Sequence, residues 1–389
     1  MSRGLRAEPG SNTRALRGMR AEPGSSTRAL RGGGMPALLL LACLRGALAG
    51  HPVARQQAAI RWRSGRSRLA AAATMSVAGR PRVLCLDSDG VARELAKLAG
   101  YDVRVENGIS DKQVEALLSS SGFAALVLRS ANTCSVRTLD AAGGAFRIVG
   151  RAGIGLDNID IVSCKARGIE VLNTPTASVG SVAELTLTLM LSLMRRLPEA
   201  RDSLLAGKWD RARLEGSSLC GKRLGVLGYG AIGQRVSELA RAFGMHVCTL
   251  SSSSNADKAM IHGVELLSLG ELLSSSDVVS LHMPSLPGGV PLIDDDALRV
   301  MKCTAILVNT GRGTLVDETA LLAALERGEL GGAGLDVFSR EGAPLDPRVA
   351  KLVAHPRVIA TPHTGGSTVE AREAISSELA ARLHAALSD

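Results

Sequence analysis

The stretch Arg223-Leu-Gly-Val-Leu-Gly-Tyr-Gly-Ala-Ile-Gly233 decides how the rest of this 389-residue sequence is interpreted. Its first five residues predict an apolar strand, and the segment from Ala231 to Gly244 predicts a helix. Gly228, Gly230 and Gly233 stand at the spacing that permits a tight turn, a backbone approach to a pyrophosphate and close packing of helix on strand. The start of the helix adds N–H donors for the pyrophosphate. The stretch therefore predicts a dinucleotide-binding unit.

Strand-like runs alternate with helix-like segments on both sides of this stretch, which indicates parallel sheets covered on both faces. The other predicted strands are 81–86, 101–105, 124–128, 146–149, 169–172, 246–250, 278–282, 305–309, 334–337 and 358–361. A long helix is predicted from Ser181 to about Leu197, because Ser181-Val-Ala-Glu184 fits a capping box. Two further predicted helices are Glu318–Arg327, after Asp317, and a final one from Thr368 to about Leu387.

We therefore expect an α/β fold of two Rossmann-like, doubly wound parallel-sheet domains with a cleft between them. Residues 80–175 are expected to begin a substrate domain, and residues 176–362 to form the dinucleotide-binding domain. Residues 363–389 are expected to return to the substrate domain, which is then discontinuous. Residues 1–79 are expected to be a disordered, targeting-like extension.

The extension differs from the rest of the sequence in charge. It holds thirteen Arg and no Lys against two Glu, so the net charge of +9 stems from it and residues 80–389 are nearly neutral. Aromatic residues make up only 2% of the chain, which disfavours base stacking. We therefore expect no nucleic-acid partner. Residues 5–18 recur almost unchanged as residues 19–32, and whether residues 1–34 are translated is left open.

A second pattern begins at Met35. The apolar run Pro36–Leu44 is too short to span a bilayer and suits the core of a signal peptide, so no stable membrane association is expected. The segment Arg55–Ala73 has five Arg and no acid, which is typical of a transit peptide. The combination predicts a plastid address. The alternatives are a mitochondrial address, or a cytoplasmic protein with an extension that has no function.

The seven cysteines show no ligand-like spacing, which favours free thiols in a reducing compartment and no metal site.

Three other side chains carry the predicted chemistry, and each follows the end of a predicted strand. Arg312 has the planar guanidinium that clamps a carboxylate. His363 suits a base that takes a hydroxyl proton near neutral pH, and Glu341 is able to orient its ring. This set predicts a 2-hydroxy-acid dehydrogenase.

The cofactor is predicted to be NAD, with NADP possible. The acid expected at the end of the second strand, where it would bind the ribose 2′-hydroxyl, is replaced by Ser251. Without that carboxylate a 2′-phosphate meets no repulsion, but no Arg follows directly to bind one. The sequence therefore leaves the choice between NAD and NADP open.

Several motifs in residues 80–387 resemble the D-isomer-specific 2-hydroxy-acid dehydrogenases, and within them the phosphoglycerate dehydrogenases without regulatory domains. The similar segments are Gly150–Asp160, Asn173–Glu184, Asn309–Glu318 and Leu335–Phe338. The sequence departs from the usual family pattern at Ser251, at Gly311, where Ala is usual, and at Gly342, where Pro is usual after Glu341. Because the sequence stops at Asp389, we expect no serine feedback through an appended domain.

The resemblance implies the roles of individual residues. Arg312 would bind substrate, Glu341 would support the histidine and His363 would be the acid and base. Arg129 and Arg151 would bind a phosphate or another second anion. Further substrate contacts are assigned to Gly153 and Ile154, and cofactor contacts to Gly228, Gly230, Ala231, Ile232, Gly233, Ser251, Thr310, Gly311, Asp336 and Gly365.

The function implied is NAD(P)-dependent oxidation of 3-phospho-D-glycerate to 3-phosphohydroxypyruvate, the first step of phosphorylated L-serine biosynthesis, in a homodimer. One alternative is an NADP-dependent glyoxylate or hydroxypyruvate reductase, because the catalytic set does not by itself select the substrate. A second alternative, from a different class, is an NAD-binding corepressor-like protein with the same three residues. The leader and the paired arginines disfavour this second alternative.

Overall fold

The computed structural model describes residues 79–98, 100–251 and 262–388. The predicted extension and the predicted targeting signals lie outside the described residues, apart from Gly79. The described part contains two parallel sheets flanked by helices, of five and seven strands. The expected α/β fold with two doubly wound sheets is thus confirmed. No helix in these ranges has the length and apolar composition needed to cross a membrane.

The first sheet has the strand order β2-β1-β3-β4-β5, with all neighbours parallel. Its strands are β1 Arg82–Leu86, β2 Asp102–Glu106, β3 Ala125–Leu128, β4 Ile148–Arg151 and β5 Glu170–Leu172. The helices that alternate with them are α1 Asp89–Lys97, α2 Asp111–Ser121, α3 Val136–Ala141 and α4 Ile161–Ala166. The chain order reverses at β1 and β3, so a cleft opens at their carboxyl ends.

The second sheet has the order β12-β11-β10-β9-β6-β7-β8 and is also parallel throughout. Its strands are β6 Arg223–Leu227, β7 His246–Leu250, β8 Glu265–Leu267, β9 Val278–Leu281, β10 Ile306–Asn309, β11 Gly332–Leu335 and β12 Val358–Ala360. Its helices are α7 Ala231–Ala242, α8 Leu269–Ser275, α9 Asp295–Val300, α10 Glu318–Arg327 and α11 Pro347–Val353. The reversal falls between β6 and β9, beside the glycine loop.

Among the helices of the described residues, three lie outside this alternation: α5 Val179–Met194, α6 Leu197–Leu205 and α12 Val369–Ser388. Helix α5 packs against α7 and against strands β10 to β12 of the second sheet. Helix α12 follows the last strand of the second sheet but packs against α1 and β4, where Leu379 and Leu383 are buried in the core of the first sheet. The chain therefore leaves the first sheet at α5 and comes back to it at α12.

Three local predictions were wrong. Strand β4 lies two residues later than the predicted 146–149. Helix α5 begins two residues before Ser181, and its N-cap is Ser178, so Ser181 lies inside the first turn and does not head a capping box. Strand β11 lies two residues earlier than predicted and contains two glycines. A Cβ at Gly334 would stand 3.0 Å from the Leu189 Cβ, so the glycine lets α5 approach the sheet closely. The sequence pattern favoured Val337 instead, because valine has the higher strand propensity.

Candidate active site

A cavity of about 760 Å³ lies where the carboxyl ends of strands from the two sheets face each other. Arg129 and Arg151 enter its wall from the end of β3 and β4 of the first sheet. Arg312, Glu341 and His363 enter it from segments that follow β10, β11 and β12 of the second sheet. The structure thus brings the three predicted catalytic side chains and the two predicted anion-binding arginines together in one cavity.

His363 and Glu341 form a hydrogen-bonded pair in this wall. The distance between His363 Nδ1 and Glu341 Oε2 is 2.8 Å. This hydrogen bond raises the pKa of His363 above its ordinary value, although burial acts in the opposite direction. Burial alone would raise the pKa of Glu341, but the hydrogen bonds from His363 and from the Phe338 N–H outweigh it and lower that pKa. With Nδ1 engaged, Nε2 is the ring nitrogen left for exchanging a proton with a bound molecule.

The loop that carries His363 is held by the carboxylate of Asp336, at the end of β11. Asp336 is 1% exposed, and its Oδ1 accepts hydrogen bonds from the Thr361 hydroxyl at 2.6 Å and the Thr364 N–H at 2.7 Å. Its Oδ2 accepts from the Gly365 N–H at 2.9 Å. His363 itself has a φ of +52°, a conformation that few non-glycine residues adopt. The buried carboxylate therefore fixes a strained backbone at the position of the predicted acid and base.

Arg312 is held by contacts on two of its guanidinium nitrogens. Nη1 donates to the carbonyl oxygen of Gly311 at 2.7 Å, and Nε donates to Oδ2 of Asp157 at 2.7 Å. The Arg312 carbonyl oxygen in turn accepts from the Asn309 side-chain amide. Asp157 lies in the Gly150–Asp160 segment but was not predicted to touch the site. The only sequence feature that could have indicated a contact with the site is that Asp157 is an acidic residue next to the glycines of this loop.

The two arginines of the first sheet form a cationic patch. Burial, together with the positive charges of Arg129 and Arg312, lowers the pKa of Arg151 to about 10. Burial also lowers the pKa of Arg129, together with the charge of Arg372. Among the described residues, Nε of Arg151 is buried without a hydrogen-bond partner. Nη1 of Arg151 donates to the Ala152 carbonyl, so its guanidinium is only partly satisfied, and buried cations that repel one another in this way are suited to a bound anion.

The other two predicted substrate contacts also line the cavity. Gly153 has a φ of +146°, and a Cβ there would overlap the Arg151 guanidinium, so only glycine leaves room for that side chain. Ile154 has its carbonyl oxygen held by the Asn173 side-chain amide at 2.8 Å. The segment after β4 is thus shaped around the buried arginine.

The glycine loop has the geometry that a dinucleotide requires. Gly228 has a φ of +99°, and a Cβ there would lie 2.5 Å from the carbonyl oxygen of His282. A Cβ on Gly233 would overlap the Gly228 carbonyl, so the third glycine lets α7 pack against β6. Gly230 caps α7 without a side chain, which leaves the N–H groups of the first turn available to a pyrophosphate. These observations fit the predicted cofactor.

The remaining predicted cofactor residues divide into two groups. The cavity wall includes Ile232, Thr310, Gly311, Asp336 and Gly365. Gly228, Gly230, Ala231 and Gly233 form the loop and the start of α7 beside it, and Ser251 is exposed just after β7. The hydroxyl of Thr310 is 2.9 Å from that of Thr186 in α5, so part of its role is to tie β10 to that helix. In the described ranges, no group of three or more His, Cys, Asp or Glu side chains could hold a metal ion.

The chain is similar to several known proteins. Residues 187–365 match the family model described as the NAD binding domain of the D-isomer specific 2-hydroxyacid dehydrogenases. A hydroxypyruvate reductase of Thermotoga maritima is 42% identical over 258 residues, which are 66% of this chain and 83% of the relative. The chloroplastic D-3-phosphoglycerate dehydrogenase 2 of Arabidopsis thaliana is 36% identical over 308 residues, which are 79% of this chain and 49% of the relative.

A solved structure extends the likeness to the fold. The D-lactate dehydrogenase of Aquifex aeolicus, in a complex with NAD and lactic acid, superposes with a TM-score of 0.70 at 28% identity. The superposition covers 79% of this chain and 95% of the other. The chain spans about half the length of the phosphoglycerate dehydrogenases that it matches.

Proposed function

The chain belongs to the D-isomer-specific 2-hydroxyacid dehydrogenase family, and from that premise we propose that it oxidises 3-phospho-D-glycerate to 3-phosphohydroxypyruvate with a nicotinamide cofactor. This reaction is the first step of the phosphorylated route to L-serine. The observation that carries the proposal is the pair Arg129 and Arg151, which lies in the same cavity as the catalytic set. A substrate with a carboxylate and a phosphate needs cations at two places, and this cavity offers both.

The proposed reaction assigns one task to each side chain of the site. The bound nicotinamide supplies the acceptor for the hydride that leaves C2 of the substrate. His363 takes the proton of the C2 hydroxyl at Nε2, while Glu341 stabilises the imidazolium that results. Arg312 binds the substrate carboxylate next to C2, and Arg129 and Arg151 bind the phosphate at the other end.

The cofactor roles are proposed on the geometry of the glycine loop. Ala231 and Ile232, at the start of α7, would donate their N–H groups to the pyrophosphate between Gly228, Gly230 and Gly233. Oδ2 of Asp336 accepts one hydrogen bond, from the Gly365 N–H, and a carboxylate oxygen is able to accept a second, which suits the carboxamide of the nicotinamide. Thr310, Gly311 and Gly365 would line the nicotinamide side of the cavity.

A substrate panel tests the proposal. The measurement is kcat/KM of a chain that starts near Met75 for 3-phospho-D-glycerate and for D-glycerate, with NAD and with NADP. We expect Arg129→Ala and Arg151→Ala each to lower kcat/KM for the phosphorylated substrate about 10-fold to 100-fold, because a hydrogen bond to a charged group is lost. Arg137→Ala is the matched control, since it removes an exposed cation of the same domain that pairs with Glu115.

The competing enzyme function is a glyoxylate or hydroxypyruvate reductase. The specific observation in its favour is the 42% identity to the Thermotoga maritima hydroxypyruvate reductase, which this chain covers over most of its length. The same panel separates the two functions. Equal kcat/KM with and without the substrate phosphate, unchanged in Arg129→Ala, would establish the reductase and contradict the phosphoglycerate proposal.

We also propose that the cofactor preference is weak, because Ser251 supplies no carboxylate to exclude a 2′-phosphate.

A plastid location is supported by the likeness to the chloroplastic Arabidopsis enzyme and by the composition of the leader. N-terminal sequencing of the mature protein tests it, with a start near Met75 expected and an intact Met1 contradicting it.

A homodimer is proposed from the surface of α6 and the segment after it. Helix α6 buries none of its residues, and Leu204, Leu205 and Trp209 are 59%, 70% and 84% exposed. Three large apolar side chains this exposed, within six positions of the chain, form a patch that a second copy could cover.

A further inference from the structure

Asp157 presents a carboxylate of the chain itself to Arg312. Its Oδ2 accepts a hydrogen bond from Arg312 Nε at 2.7 Å, and the pair joins the loop after β4 to the turn after β10. The two side chains stand in the wall of the same cavity as His363 and Glu341. A chain carboxylate is therefore bonded to the guanidinium that is assigned to the substrate carboxylate.

The same loop approaches a second nitrogen of the guanidinium. A Cβ at Gly155 would overlap Nη2 of Arg312, so Nη2 lies directly against the Gly155 backbone. Nε and Nη2 together form one of the edges with which an arginine grips a carboxylate through two parallel hydrogen bonds. Nη1 donates one hydrogen bond to the Gly311 carbonyl, and a carboxylate that took both Nε and Nη2 would have to displace Asp157 and the Gly155 backbone from this edge.

We propose that Asp157 is an internal competitor of the substrate: its carboxylate must leave Arg312 Nε before the carboxylate of a 2-hydroxy acid can bind there. This inference rests on the proposed function only in its choice of ligand class. A tethered carboxylate acts at a high effective concentration, so it weakens the binding of every carboxylate at this position. Asp157 is 49% exposed on its side chain, which limits the effect to about fivefold, the upper end for exposed ion pairs.

The competition differs from a general effect of the negative charge. The negative charge of Asp157 also lies close enough to Arg151 to favour the charged form of that arginine. If Asp157 acted only through its electrostatic field, removing it would strengthen the binding of an anion at Arg129 and Arg151. Competition at Arg312, in contrast, would weaken only the binding of a ligand carboxylate at Arg312 and would leave phosphate binding at the arginine pair unchanged. Two probes separate the mechanisms: oxalate, which offers a carboxylate, and inorganic phosphate, which suits the arginine pair.

The test is the Kd of each probe for the full chain loaded with NADH, measured for the wild type and for Asp157→Asn. We expect the Kd of oxalate to fall about threefold to fivefold, and the Kd of phosphate to stay within about a factor of two. Asp157→Ala should repeat both results, because it also removes the charge. Asp140→Asn is the matched control, since it removes one acid of the same domain that pairs with Arg167 outside the cavity.

Two results would overturn the inference. An unchanged or higher Kd of oxalate in Asp157→Asn would mean that Asp157 positions Arg312 instead of competing for it. An equal gain for oxalate and phosphate would mean that only the field at Arg151 had changed. Neither result depends on turnover of 3-phospho-D-glycerate, which is measured separately. A chain that binds oxalate as expected but does not oxidise that substrate would contradict the proposed function and leave the competition intact.

Discussion

In the proposed reaction Glu341 would act through one hydrogen bond to His363, and this bond would set the pH range of the reaction. The bond raises the pKa of His363, so the ring stays protonated to higher pH than an ordinary histidine. Reduction of a 2-keto acid needs the protonated ring, whereas oxidation of a 2-hydroxy acid needs the neutral ring. The pair therefore extends reduction toward higher pH and makes oxidation begin at a higher pH.

Replacing Glu341 with Gln should shift both pH profiles to lower pH, because the charge that favours the imidazolium is lost. In the reduction direction kcat/KM should begin to fall at a lower pH than in the wild type, and in the oxidation direction it should begin to rise at a lower pH. Profiles of kcat/KM against pH in both directions measure this shift.

His363→Ala should lower kcat about 100-fold or more at every pH.

Glu326→Gln provides the control, because Glu326 is exposed on α10 away from the cavity. Its profiles should coincide with those of the wild type. If Glu341→Gln kept the wild-type profiles while losing turnover, Glu341 would only orient the ring and would not set its pKa.

Gly342 stands where the family usually has proline, and its backbone conformation accounts for the glycine. Its φ is +119°, which proline cannot adopt because its ring holds φ near −65°. The turn that follows Glu341 therefore takes a path that the usual Glu-Pro sequence would not allow. Glu341 nevertheless reaches His363, so the pair does not depend on that proline.

At the level of elements, strand β11 and the loop after β12 act as one unit, because the Asp336 carboxylate joins them. Asp336→Asn replaces one carboxylate oxygen by an NH₂ group, which would face the N–H of Thr364 or of Gly365. A buried donor against a donor costs about 1–3 kcal/mol, so we expect a lower Tm and a lower kcat together. Thermal unfolding and steady-state kinetics of the same preparation measure both.

Asp346→Asn is a suitable comparison for this loop, because Asp346 caps α11 outside the cavity. It should lower Tm modestly and leave kcat unchanged. A variant Asp336→Asn with normal kcat and an unchanged Tm would show that the loop holds His363 without the carboxylate.

The elements that the sequence predicted well are those with a local signal. The glycine loop, β6 and α7 follow from a spacing within eleven residues, and α10 begins after Asp317, whose carboxylate accepts from the Thr319 and Ala320 N–H groups. Strand β8 was missed because it is a three-residue edge strand with two exposed residues. Its neighbour β7, not its own sequence, makes it a strand.

For the site as well, the sequence predicted the residues that have a local signal and missed the contacts that depend on tertiary structure. Arg312, Glu341 and His363 each stand after a strand, and parallel sheets bring such positions to one edge. The contact of Asp157 with Arg312 joins two domains across 155 positions of the chain, and no local pattern announces it. The Asp336 hydrogen bonds likewise depend on the pairing of β11 with β12, which places residue 336 beside the loop at 361–365.

At the scale of the whole molecule, the two sheets supply different parts of the proposed chemistry. The first sheet contributes the cationic pair Arg129 and Arg151, and the second contributes the catalytic set and the glycine loop. In the proposed function, the reaction class would therefore depend on the second sheet, and the choice of substrate would depend on the first.

The patch on α6 leads to a prediction about assembly. Covering Leu204, Leu205 and Trp209 with a second copy would remove apolar surface from water, at about 25 cal/mol for each Å². We therefore expect the wild-type chain to have about twice its 40.4 kDa mass in light scattering, and Leu205→Glu with Trp209→Glu to have the monomer mass. Charged residues on this face would have to be desolvated without a partner, which opposes association.

Whether the chain dimerises through α6 also bears on activity. Helix α6 follows directly from α5, and α5 packs against strands β10 to β12, which precede Arg312, Glu341 and His363. If association steadied α5, the monomeric variant would lose kcat without a change in its pH profile, since the His363–Glu341 pair is made within one copy. Glu238→Lys on the exposed face of α7 is the control for charge at the same domain. A wild-type chain that stays monomeric at micromolar concentration would contradict the dimer, and the exposed apolar residues would then need another partner.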